Sequence, residues 1–177
     1  MHTIELTCDD MLDSAVRAAW DRLAAAGLPS QARHPHPTNR PHLTLAVCER
    51  LPPYTPAAFA EAFADLPVPV RLGPLLLFAG RARVLAWGVV PQARLLAVHA
   101  GVWRVLGGSC GGNPLHAPGR WLPHVTLARN LDTATRAQAV TVLDGLAETT
   151  GTFSGARSYD DALRTTLPLT GQDRRRR

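Results

Sequence analysis

The sequence contains no lysine. All 19 of its basic residues are arginine, set against 14 acidic residues for a formal net charge of +5. That balance resembles the footprint of a nucleic-acid binder, but four of the arginines form the terminal run Arg174–Arg177. Setting aside residues 173–177 leaves 15 arginines against 13 acidic residues. The body of the chain is therefore only mildly basic, and its last five residues read as a solvated, disordered tail. Long apolar runs are missing too. The best of them, around Pro74–Ala79, is broken by Arg71, Arg81 and Arg83 and falls short of the roughly 18 residues that a membrane-spanning helix needs. Glu5, Asp9 and Asp10 lie within the first ten residues, unlike a secretory signal, so cytoplasmic residence is the expectation. Cysteine is scarce: Cys8, Cys48 and Cys110 are scattered, with no C-x-x-C pair. This suits buried thiols in a reducing compartment rather than a disulfide framework. The glycine-rich stretch Gly107–Gly112 lacks a following Gly-Lys-Ser/Thr, which excludes a P-loop, and reads as a surface turn.

The 177 residues suffice for one domain with its own core, expected over residues 1–172. Alternating Ile4 and Leu6 predict a first strand over 3–8. Asp9 or Asp10 then caps a helix to about Ala26, with Leu12, Ala15, Val16, Ala19 and Leu23 at helical spacing and Gly27 as its stop. A loop rich in proline and histidine fills 29–41, and a β-rich run follows over 42–48. Thr55-Pro56 opens a predicted helix to about Asp65. Two runs over 67–78 and 82–90, turned at Ala79-Gly80-Arg81, form a hairpin. Further helices are expected over 91–106 and 133–148, and further strands over 121–129, 152–158 and 162–167. This inventory favours an α+β sheet fold over a doubly wound parallel one.

A repeat carries the functional signal. Residues 41–46 read Pro-His-Leu-Thr-Leu-Ala and residues 123–128 read Pro-His-Val-Thr-Leu-Ala, five of six positions being identical. His-x-Thr alone is weak, and a third instance, His36-Pro37-Thr38, lies in the proline-rich loop without a strand context. The longer shared segment is far harder to produce by chance. On a strand, residues two apart share a face. His42 then projects with Thr44 and His124 with Thr126, while Leu43, Leu45, Val125 and Leu127 turn to the core. Two imidazoles and two hydroxyls converging on one anion suit phosphoester chemistry. A neutral imidazole takes a proton from the attacking group, an imidazolium gives one to the leaving oxygen, and the hydroxyls donate to the non-bridging oxygens. No metal is required. A metal reading would draw on the loop histidines His34, His36 and His116, but no H-E-x-x-H or Cys/His ligand pattern supports it. Trp121 either stacks on a base at the cleft or packs in the core. Arg83 and Trp87 share a strand face that either lines the cleft or is solvated.

The two hexapeptides resemble the H-x-T-x signatures of the 2H phosphoesterase superfamily, in its 2′-5′ RNA ligase-like and cyclic nucleotide phosphodiesterase branch. The resemblance extends to the first strand and helix, the hairpin near 70–90, and the stretch HAPGRWLPHVTLAR. It implies a bilobal α+β fold of two sheets, with pseudo-twofold related lobes that each contribute one H-x-T-x strand to a central cleft. It implies metal-independent, cofactor-free hydrolysis of 2′,3′-cyclic or related small phosphodiesters; some members also make or cleave 2′-5′ RNA linkages, and others trim RNA 3′ ends. His42 and His124 become the catalytic acid–base pair, with His124 activating water and His42 protonating the leaving ribose oxygen. Thr44 and Thr126 become phosphate binders. Arg129 matches a basic residue that follows the second motif in relatives, although strict alternation turns it away from His124, so that a bend or bulge is needed. The first strand lacks the aromatic residues usual in longer members. With the modest charge, this favours a small nucleotide or an RNA terminus as the partner, met by a monomer without an obligate protein partner. The competing reading is a non-catalytic module that binds nucleotides or RNA ends in the same cleft.

Overall fold

A computed structural model describes residues 1–53, 55–107 and 114–170. The basic tail, Cys110 and most of the Gly107–Gly112 loop lie outside these. Among the described residues, seven strands form: β1 (His2–Cys8), β2 (His42–Cys48), β3 (Val68–Phe78), β4 (Val84–Val89), β5 (His124–Ala128), β6 (Thr149–Asp160) and β7 (Thr165–Pro168). The helices are α1 (Asp10–Ala25), the single turn α2 (Thr55–Ala58), α3 (Ala93–Leu106) and α4 (Thr133–Val142).

The fold is mixed α/β, built on one large antiparallel sheet. The strands run in the order β1-β2-β5-β4-β3-β6-β7, and β1 also pairs along β6. The expected division into two sheets is therefore not what the backbone forms: β2 and β5 join at Leu43–Val125, and β3 and β6 join over Val68–Leu72. The order β1-α1-β2 recurs as β4-α3-β5, each strand pair being antiparallel around its helix. α1 lies against β5 and β6, and α3 against β2 and β3.

Local sequence explains the helices that position these strands. Asp9 accepts from the Leu12 amide and caps α1, satisfying a donor that the first turn leaves open. Leu12, Val16, Ala19, Trp20 and Leu23 form its buried stripe. Gly27 follows at φ 74°, a left-handed setting that glycine adopts without a Cβ penalty. Asp132 caps α4 in the same way through Thr135. Two expected helices are shorter than their patterns: α2 stops after one turn, and α4 ends at Val142 rather than near Glu148. Cys8 and Cys48 are buried, and burial drives the pKa of the Cys8 thiol up to about 12.

The two hexapeptides share a backbone irregularity that the alternation rule does not anticipate. Glu5 pairs with Thr44 but Ile4 with Ala46, so Leu45 is an extra residue in β2. Ala86 pairs with Thr126 but Leu85 with Ala128, so Leu127 is an extra residue in β5. Each is a β-bulge, which resets the side-chain parity beyond it. Leu45 with Ala46, and Leu127 with Ala128, accordingly all sit at 0% exposure.

Carbonyls at the bulges need other donors. Three indoles supply them: Trp121 Nε1 donates to Thr44 O at 3.1 Å, Trp103 Nε1 to Leu45 O at 3.1 Å, and Trp20 Nε1 to Thr126 O at 3.0 Å. Trp121→Phe keeps most of the buried ring but strands the Thr44 carbonyl. An unpaired buried acceptor costs about 1–3 kcal/mol, so urea unfolding should show a loss of that size; an unchanged midpoint would contradict the capping role.

Candidate functional site

A pocket of ≈ 360 Å³ opens over the polar face of these strands. β1 contributes Thr3 and Glu5, β2 contributes His42 and Thr44, and β5 contributes Val125 and Thr126, with Arg129 just beyond it. β6 adds Arg157 and Tyr159, while the loop before β2 adds Gln31, His34, Thr38 and Asn39. The parity reset at Leu127 provides the bulge that Arg129 needs, and Arg129 lines the pocket together with Thr126.

The two histidines are held alike. His42 Nδ1 lies 2.8 Å from the Arg40 carbonyl and His124 Nδ1 lies 2.7 Å from the Leu122 carbonyl, in each case two residues back. A carbonyl only accepts, so Nδ1 carries the hydrogen in both rings and Nε2 is left for proton transfer. This repeated second-neighbour bond fixes each tautomer from the strand's own backbone.

Their surroundings differ. His42 Nε2 stands 3.6 Å from Glu5 Oε1. The Glu5 carboxylate, 3% exposed, also accepts from Thr3 Oγ1 at 2.7 Å and from Arg157 Nε at 2.8 Å. Arg157 gives a further hydrogen bond to Thr38 O at 3.0 Å, tying the loop to the pocket floor. Burial pushes the Glu5 carboxyl up, but the charges of His42 and Arg157 and the two hydrogen bonds outweigh it and hold Glu5 below the ordinary carboxylate range. His124 instead packs against Phe78, ring centroids 4.6 Å apart, and does not line the pocket with His42. Burial lowers its pKa below 6.5, the Leu122 bond opposes this, and the charges of Arg129 and His42 lower it further. His124 is therefore within electrostatic reach of both.

Of the other sequence candidates, His34 lines the pocket and the rest lie elsewhere. Trp121 is 8% exposed; His99 covers one of its faces in a parallel stack at 4.0 Å, and the indole Nε1 is engaged by the Thr44 carbonyl. The base-stacking expectation for Trp121 is thereby corrected: it packs under β2. Trp87 is buried with Nε1 donating to Gly73 O, and Arg83 sits in the turn before β4 at φ 40°, so neither lines the pocket. His34 does line it, whereas His36 bonds Thr38. His116 lies beside His99, whose Nε2 donates to the His116 carbonyl at 2.8 Å. Among the described residues, no three His, Cys, Asp or Glu side chains are placed to hold a metal ion. No described helix is long and apolar enough to cross a membrane. Glu5, Arg157 and Tyr159 escaped the sequence reading. A signal for Glu5 was present all the same: it is a carboxylate set between the apolar Ile4 and Leu6 of β1, a strand that β2 and β6 flank on its two sides.

Comparison with known proteins defines the class. The family model of the 2′-5′ RNA ligase superfamily matches residues 12–158, and the chain belongs to that superfamily of 2H phosphoesterases. Among solved structures, it resembles a protein described as a phosphoesterase, at TM-score 0.57 and 16% identity, over 94% of this chain and 92% of that one. It also resembles TT0787 of Thermus thermophilus, at TM-score 0.56 and 19% identity, over 96% and 94%. Usb1 of Kluyveromyces marxianus follows at TM-score 0.50 and 12% identity, over 94% and 97%. At these identities the likeness is one of fold. No curated protein matches the chain in sequence.

Three imidazoles carry a stability signature. Burial lowers the pKa values of His99, His116 and His124 below 6.5. The unfolded chain then takes up protons first, so stability is complete above about pH 6.5 and falls as pH drops toward the folded values. Urea midpoints should decline from pH 7.5 to pH 5.5, a range in which Glu5 stays ionised. A flat profile would mean that these rings are not held neutral.

Proposed function

We propose that this protein is a metal-independent phosphodiesterase acting on 2′,3′-cyclic phosphates or related small nucleotide and RNA-end diesters. One observation carries the reading: His42 with Thr44, and His124 with Thr126, are presented by identically bulged strands, with each Nδ1 tied back and each Nε2 free to exchange a proton. In hydrolysis, His124 Nε2 takes the proton of a water whose oxygen attacks phosphorus. The bond from phosphorus to the ribose oxygen breaks, and His42 Nε2 gives its proton to that oxygen. The polarity rests on surroundings: burial favours neutral His124, and an imidazolium at His42 meets the Glu5 carboxylate. Thr44, Thr126 and Arg129 donate to the non-bridging oxygens. Membership of a superfamily of phosphoesterases supports the same reaction class, and the superfamily's name keeps 2′-5′ RNA joining as the reverse direction of this chemistry. We further read the chain as two related lobes, β1-α1-β2 and β4-α3-β5, supported by their shared element order, register and crossed helix packing.

A nucleotide- or RNA-end-binding module would use the same pocket, but two tautomer-locked imidazoles are more than binding requires. Turnover of 2′,3′-cyclic nucleotides in excess EDTA separates the readings. Activity should survive the chelator and fall by about 10²–10⁴ in His42→Ala and in His124→Ala, with smaller losses in Thr44→Val and Thr126→Val. Tight binding without turnover of any diester would establish the module instead, and loss of activity in EDTA would establish a metal enzyme.

A further inference from the structure

The two histidine strands are matched position by position against their neighbours. Thr7 pairs with His42 and Gly88 with His124; Glu5 pairs with Thr44 and Ala86 with Thr126. Glu5 and Ala86 thus occupy the same place relative to the two motifs. One is a carboxylate, at ion-pair distance from Nε2 of its histidine; the other is a methyl group at 0% exposure. The strand beyond repeats the contrast, with Arg157 paired to Glu5 and Leu76 paired to Ala86. A repeat that would present two equivalent imidazoles presents instead one that faces a carboxylate and one that packs on Phe78 with no carboxylate at the matching position and with Arg129 as its charged neighbour.

On the two-histidine reading above, we propose that Glu5 is a positioning residue that makes the two histidines inequivalent, fixing His42 as the proton donor and leaving His124 as the acceptor. Its carboxylate does not touch the Nδ1 side of His42, which the Arg40 carbonyl already holds. It faces Nε2, the atom that transfers the proton, and gives an imidazolium there a fixed counter-charge. Arg157 and Thr3 clamp both carboxylate oxygens, so Glu5 keeps its place when the proton leaves His42. The site of Ala86 offers no such anion, and the proton abstracted from water is taken up at His124 without one.

Glu5→Gln removes the charge while keeping the size and one acceptor oxygen. With a 2′,3′-cyclic nucleotide as substrate, kcat should fall on the order of tenfold while KM stays within about twofold, and Glu5→Asp should recover most of the loss. A second readout uses the native protein: diethyl pyrocarbonate, which acylates an uncharged and unengaged ring nitrogen, followed by mass spectrometry. His124 should be acylated before His42, and in folded Glu5→Gln that order should narrow. A folded Glu5→Gln with native kcat and KM overturns the assignment, as does acylation of His42 first; if Glu5→Gln shows no cooperative melt, the native acylation order decides. Absence of turnover in the native protein would defeat the proposed function, while the acylation order would still decide on Glu5.

Discussion

At Leu45 and Leu127 one residue too many lies opposite the neighbouring strand, and everything at the candidate site follows from how that surplus is absorbed. Each bulge sends two consecutive apolar residues into the core. The next residue then returns to the face that carries the histidine and threonine, which places Arg129 beside Thr126. Without the bulge a five-residue strand cannot place His, Thr and Arg of that spacing on one side. Indoles from α1, α3 and the approach to β5 close the exposed carbonyls. Three of the four tryptophans are thus committed to holding the motif strands, Trp121 among them.

The site's electrostatics build on this frame. Backbone carbonyls set the same tautomer in both imidazoles, a device internal to each Pro-His segment. What separates the two rings is supplied by their neighbours: β1 and β6 bring a buried Glu5–Arg157 pair to His42, and β3 and β4 bring Phe78 and Ala86 to the surroundings of His124. A buried pair of this kind is a weak source of net stability because desolvation offsets the attraction. Its presence at the pocket floor is better accounted for by the fixed charge it provides and by the Thr38 loop that Arg157 anchors.

Much of this was legible in the sequence, and what was not has identifiable causes. The hexapeptide repeat marked β2 and β5 as strands and put His42, Thr44 and Thr126 on the face that the pocket covers, because period-two alternation is a local property; His124 lies outside that lining, against Phe78. Capping of α1 by Asp9 and its stop near Gly27 were equally local. The single continuous sheet was not legible, since pairing of β3 with β6 and of β1 with both β2 and β6 depends on contacts between distant segments. Arg129 illustrates the middle ground: alternation alone placed it on the wrong face, yet the two adjacent apolar residues in Leu127-Ala128 were a visible sign that alternation breaks there. Glu5 and Arg157 meet across 152 positions of the chain, a separation over which a single sequence offers no pairing signal.

On the proposed reading, both bulged strands aim at one phosphate. A crystal structure with a bound nucleoside 2′- or 3′-phosphate, the two isomers that opening of a 2′,3′-cyclic phosphate can yield, decides whether they do. Phosphate oxygens are expected within hydrogen-bond distance of Nε2 of both His42 and His124, with the Thr44 and Thr126 hydroxyls on the same anion. A phosphate held by only one histidine, or bound away from both strands, would contradict it.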